Sequence, residues 1–104
     1  MTAGVNRLRL DGQLHGQVES RITPVGIPIH RFTLAHESSQ VEAGMPREAR
    51  CQIAVVASGE TLAPVAGSLQ EGDRVVVEGF VSRSSYRDES YRIVLHAQTI
   101  ELLR

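Results

Sequence analysis

The chain has 104 residues, with 11 basic against 12 acidic side chains and a formal net charge of −1. That length suits one domain, residues 1–104, with one modest core. The balance excludes a bulk electrostatic pull toward nucleic acid, so any such binding needs a local basic face.

No run of about eighteen apolar residues is present, so no membrane-spanning helix is expected. The opening MTAGVNRLRLDG has no apolar signal region, and the single cysteine, Cys51, has no partner in the chain. Both features fit a reducing, cytoplasmic setting. Every basic residue is Arg. Arginine suits bidentate phosphate contacts, although genome composition alone could produce the same usage.

From Arg7 to Val18, the even positions hold Leu8, Leu10, Gly12, Leu14, Gly16 and Val18, and the odd positions are polar. A period of two predicts a half-buried first strand. Its inward glycines predict sharp coiling, where another backbone comes close. Thr23-Pro24-Val25-Gly26 is a turn signal, because proline pre-sets φ and glycine tolerates positive φ. A long bent hairpin around it would place Arg21 and Arg31 on or near one barrel wall.

The second strand is predicted over Ile27–Glu37, with Phe32 and Leu34 inward. Ser38–Glu48 is polar, contains Gly44 and Pro46, and reads as a loop of about ten residues. The third strand, Ala49–Ala57, sets Cys51, Ile53, Val55 and Ala57 on one face. Cys51 is therefore expected as a small core residue.

From Thr61 to Gln70 the apolar spacing becomes helical, through Leu62, Val65, Ala66 and Leu69. Pro64 fits only a first turn, Gly67 keeps the helix short, and Gly72 is the expected C-terminal cap. The fourth strand is predicted over Arg74–Arg83, with Val75, Val77 and Val81 on one face and Val76 and Phe80 on the other. Ser84–Ser90 forms the last loop. Along the fifth strand, Tyr91–Leu103, the apolar phase slips from odd (Ile93, Leu95, Ala97) to even (Ile100, Leu102). A β-bulge near Gln98-Thr99 would produce that slip.

The order is β-β-β-α-β-β. Such an all-β chain fits an OB-fold, a five-stranded Greek-key barrel with a short helix between strands three and four.

The sequence offers no catalytic constellation. His15, His30, His36 and His96 lack metal-ligand spacing, the glycines form no phosphate loop, and no carboxylate pair stands out. No cofactor is implied. Arginines do gather where OB-folds meet oligonucleotides, on the strand 2–3 face and the flanking loops. Arg47 and Arg50 flank the start of strand three. Arg83, Arg87 and Arg92 bracket the last loop, with Tyr86 and Tyr91 between them. Arginine interleaved with aromatic side chains suits single-stranded nucleic acid. The bland alternative is a solvated hairpin whose charges cancel against Asp88 and Glu89.

Further stretches carry a resemblance. They are Asn6-Arg7-Leu8, Gly26-Ile27-Pro28, Phe32-Thr33-Leu34-Ala35-His36-Glu37, Glu42-Ala43-Gly44, Cys51-Gln52, Val77-Glu78-Gly79-Phe80 and Val94 to Leu102. In order and spacing they resemble the primosomal replication protein N family, the replication-restart relative of single-stranded DNA-binding protein. The resemblance covers nearly the whole chain. It implies a non-catalytic homodimer that binds single-stranded DNA. It also implies that the protein stimulates the primosomal restart helicase and works with a helicase-loading primosomal protein.

On this view Arg21, Arg47, Arg50, Arg83, Arg87 and Arg92 contact phosphates, and Tyr86 stacks on a base. Single-stranded DNA-binding protein usually continues into a flexible tail with an acidic tip, which this chain is expected to lack. Met45 and Arg50 stand where that family can carry aromatics, and Glu37 replaces basic character at the strand-two exit. Affinity should then rest on arginine–phosphate contacts. A protein-only OB-fold adaptor and a tail-less single-stranded DNA-binding protein are the alternative readings.

Overall fold

A computed structural model describes residues 3–85 and 92–103. Its elements are β1 (Leu8–Ile22), β2 (Pro28–Glu42), β3 (Met45–Ser58), α1 (Ala63–Ala66), β4 (Arg74–Arg83) and β5 (Ile93–Leu103). The strands close into a barrel in the order β1-β2-β3-β5-β4, with β4 returning to β1. Only β3 and β5 pair in parallel; the other contacts are antiparallel. This is the OB-fold that the element order predicts. No described helix is long and apolar enough to cross a membrane.

The core follows from the period-two phases. Leu14, Phe32, Leu34, Ile53, Val55, Val75, Val77 and Leu95 are buried together, and Leu69 joins them from the segment after α1. Each such side chain contributes about 1.5–3 kcal/mol on burial. Leu62 and Ala66 pack on Ala57 and close one end of the barrel. Phe32 and Leu34 point inward, as the sequence predicts.

Two glycines are required by close backbone approach. A Cβ at Gly12 would collide with the Ala35 carbonyl oxygen, where β1 bends between β4 and β2. A Cβ at Gly79 would collide with the His96 carbonyl oxygen. Gly79 lies beside the predicted bulge: Glu78 pairs with Thr99 and Gly79 with Ala97, which leaves Gln98 extra. The added residue lets both Ala97 and Ile100 pack against the core despite their opposite parity.

Several expectations are corrected. The region 38–48 is no loop, because β2 and β3 stay paired out to Glu42 and Met45. Ala43 and Gly44 make the turn with φ of 52° and 76°, the backbone signature of a type I′ hairpin. The ribbon they cap stands clear of the barrel with both faces exposed. Its polar sequence therefore lacks the alternation that reveals a half-buried strand.

Cys51 is exposed, not core. It shares the phase of Ile53 and Val55 but lies where the ribbon leaves the barrel. The first strand runs on to Ile22, past a bulge between His15 and Glu19 where Gly16 takes φ of 82°. The helix is one turn, Ala63–Ala66, and ends at Gly67. Gly72 instead takes φ of 89° in the turn before β4, donating its N–H to the Leu14 carbonyl at 2.8 Å.

Candidate nucleic-acid interface

The outward phase of the first hairpin builds one side of the candidate site. Thr23 accepts the Gly26 N–H on its carbonyl oxygen at 2.8 Å, and its Oγ1 accepts the Ile27 N–H at 3.0 Å. That turn sets the register: Arg21 pairs with Ile29 and Glu19 with Arg31. β3 continues the sheet, pairing Val56 with Arg31 and Ala54 with Thr33. Residues opposite one another share a face, so Arg21, Ile29, Arg31, Thr33, Ala54 and Val56 form one outer wall.

Two adjoining clefts cross that wall. One, of about 270 Å³, lies between Arg21, Ile29, Arg31 and Val56, with Glu19 and Ser20 at its edge. The other, of about 610 Å³, runs from Arg31 past Thr33, Gln52 and Ala54 to Ser84 and Arg92. Arg31 belongs to both, which joins them as one groove, and Cys51 and Gln52 join the second to a further cleft of about 480 Å³ lined by Arg50 and Arg74. Arg21 and Arg31 are exposed, and among the described residues neither has a carboxylate or hydrogen-bond partner. Glu19 stands across from Arg31 in register, yet the two make no ion pair.

The ribbon presents a different arrangement. Arg47 pairs with Gln40 and Arg50 with Glu37 across the strands. Odd and even positions project to opposite faces, so the two arginines point apart. Arg47 is held by Glu42 at 3.0 Å. Arg50 donates to Glu48 at 2.6 Å and lies 3.3 Å from Glu37. The carboxylates that neutralise these cations come from the ribbon itself.

His36 fixes the base of the ribbon. Its Nδ1 donates to the Asp11 carbonyl oxygen at 2.7 Å, and the Asp11 carboxylate lies 3.3 Å away. A carbonyl can only accept, so in the neutral ring Nε2 is the acceptor and takes the Ser38 hydroxyl at 2.7 Å. Gln40 donates to the same Ser38 oxygen at 2.9 Å. This chain of bonds ties the β2 exit to β1.

The remaining candidates fall at the last hairpin. Arg83 ends β4, and Arg92 precedes β5 with its carbonyl oxygen accepting the Ser84 N–H at 2.9 Å. Arg92 lines the groove. Tyr86 and Arg87 lie outside the described residues. Thus the wall gathers Arg21 and Arg92, Arg50 lies further along the same face of β3 beyond Gln52, and Arg47 projects from the ribbon's opposite face.

Sequence reasoning leaves Arg31 out of its contact set, yet Arg31 occupies the centre of the groove. The signal was present: Arg31 stands in the phase opposite Phe32 and Leu34. The exposed Phe80 is elsewhere, stacked on His96 on the β4–β5 wall with ring centroids 4.8 Å apart.

Comparison with known proteins agrees with this architecture. The family model described as "another single-strand binding protein family" matches residues 6–99. Replication restart protein PriB of Proteus mirabilis is 39% identical over 103 residues, covering 99% of this chain and 96% of that protein. The Photorhabdus laumondii protein of the same name is 41% identical over 98 residues, covering 94% and 93%. The solved structure of PriB from Ralstonia solanacearum superposes with a TM-score of 0.81 at 26% identity, covering 97% of this chain and all of that one. The chain belongs to the replication restart protein PriB family, within the single-strand binding proteins.

Proposed function

We propose that this protein binds single-stranded DNA along the outer wall of β1–β3 and serves replication restart as a non-catalytic accessory. The observation that carries this reading is the groove in which Arg21 and Arg31 stand without carboxylate partners. Guanidinium groups already neutralised inside the protein must exchange partners to meet a phosphate, whereas these two need not. Family membership supports the same ligand, because the family is described by single-strand binding.

Arg92 extends the path toward the last hairpin, where Arg83, Arg87 and Tyr86 are the further contacts, Tyr86 by stacking. Arg47 and Arg50 join when the strand displaces their carboxylates. The protein acts as a homodimer that binds a restart helicase and a helicase-loading protein. A free edge supports dimerisation: Leu8–Gly12 pair with β4, and no described strand pairs their other edge. Exposed edges invite strand addition.

Anisotropy titration of a labelled oligothymidylate at two salt concentrations tests the binding. Each phosphate contact contributes about −0.7 to the slope of log affinity against log salt. The Arg21→Ala/Arg31→Ala variant should flatten that slope by about 1.4. An unchanged slope and affinity would place the DNA elsewhere. Light scattering that finds a monomer at micromolar concentration would remove the dimer.

A further inference from the structure

We propose that the cleft at the foot of the ribbon seats one nucleotide of the strand beyond the wall, with Arg74 on its phosphate and the amides of Gln13 and Gln52 on the edge of its base. This deepens the single-strand reading of the wall and rests on it. Strand register lines these residues up. Arg74 pairs with Gln13, Gln13 with Ala35 and Ala35 with Gln52, in one row across β4, β1, β2 and β3. Their sequence neighbours Val75, Leu14, Leu34 and Ile53 are buried, so all four members of the row face outward.

The row is shaped for a base. Ala35 is short and stands between two long amides, and Gly12, which also lines the cleft, has no side chain, so a space of about 480 Å³ opens over them. Volumes of about 300–1,000 Å³ are usual for small-molecule sites. Directly opposed side chains have Cβ atoms about 4.5–5.5 Å apart, which puts both amides within reach of a planar group lying over Ala35. Among the described residues neither Gln13 nor Gln52 has a side-chain hydrogen-bond partner. An amide both donates and accepts, so the pair can meet the edge of any base. Arg74 ends the row, exposed and without a carboxylate or hydrogen-bond partner among the described residues. Two neighbouring acids are engaged elsewhere: Glu37, at the cleft's edge, lies 3.3 Å from Arg50, and Asp73 accepts the Gln70 N–H at 2.9 Å. Gln52 lines both this cleft and the wall groove, so a strand leaving the wall reaches the row without a break.

The test titrates the full chain with a labelled oligothymidylate and with an abasic tetrahydrofuran strand of equal length, at two salt concentrations. Arg74→Ala should weaken both strands alike and flatten the salt slope by about 0.7. Arg74→Lys, which keeps the charge, should restore the slope; a lysine variant as flat as the alanine one overturns the phosphate contact, as does an unchanged slope in Arg74→Ala. Gln13→Ala/Gln52→Ala should weaken thymidylate binding by about two- to tenfold for each hydrogen bond lost and leave the abasic strand unchanged. An equal loss on both strands, or no loss on either, overturns the base contact. Thermal unfolding at the wild-type temperature checks that these exposed substitutions leave the barrel intact. Any of these failures refutes the cleft alone if Arg21→Ala/Arg31→Ala still flattens the slope. Failure of the wild type to bind either strand refutes the single-strand site itself.

Discussion

The outer wall of β1–β3 and the ribbon beyond it both carry exposed arginines, in opposite electrostatic settings. On the wall, Arg21 and Arg31 line one groove and have no carboxylate partner among the described residues. On the ribbon, Arg47 and Arg50 point to opposite faces, held by Glu42 and by Glu48 with Glu37. Exposed pairs of this kind add little stability, about 0–1 kcal/mol. Their effect is on availability: a phosphate must compete with a carboxylate already in place. Counting arginines along a chain therefore misses which of them are already neutralised.

The largest way to break the comparison is to break the wall. Gly12→Ala forces a Cβ against the Ala35 carbonyl where β1 meets β2. Backbone displacement of this kind should cost about 1–3 kcal/mol or more. Chemical denaturation should show that loss, with groove binding falling alongside it. A stable variant would show that the strands can part there without harm.

Next is removal of charge without disturbing the fold. Arg21→Ala/Arg31→Ala should reduce oligonucleotide affinity more than Arg47→Ala/Arg50→Ala, with salt slopes flattened by about 1.4 and by much less. Equal losses would erase the distinction between wall and ribbon. The reverse experiment sharpens it. Glu42→Gln/Glu48→Gln frees Arg47 and leaves Arg50 only Glu37, so affinity should rise and the slope steepen by up to about 1.4. No change would place the ribbon off the strand's path.

The smallest expected effect concerns the ribbon's own geometry. Ala43 takes φ of 52°, in the left-handed region that L-alanine disfavours. Asn is preferred at that position of an Asn-Gly type I′ turn. Ala43→Asn should stabilise the hairpin, read as slower hydrogen exchange across the ribbon. Exchange no slower than in the wild type would show that Ala43 costs the turn nothing.

Sequence reasoning reached the barrel because strand phase is a local property. Leu8 to Val18, and Phe32 with Leu34, declare their faces through neighbours two residues away. The parity slip from Ala97 to Ile100 announces the bulge at Gln98 in the same way. The ribbon escaped because both its faces are wet, which removes the alternation that betrays a strand. Cys51 escaped because its phase points inward but the barrel ends before reaching it.

The sequence by itself determined the strand order, the inward faces, the bulge and the arginines available for contact. Tertiary structure decided which of them share a surface and which are already neutralised. Arg31 and Arg92 come to one groove only because β3 pairs with both β2 and β5. Arg47 meets Glu42 only because the hairpin folds back at Ala43-Gly44. Burial pattern is written along a strand, but electrostatic partnership is set by pairing across strands and is fixed only when the barrel closes.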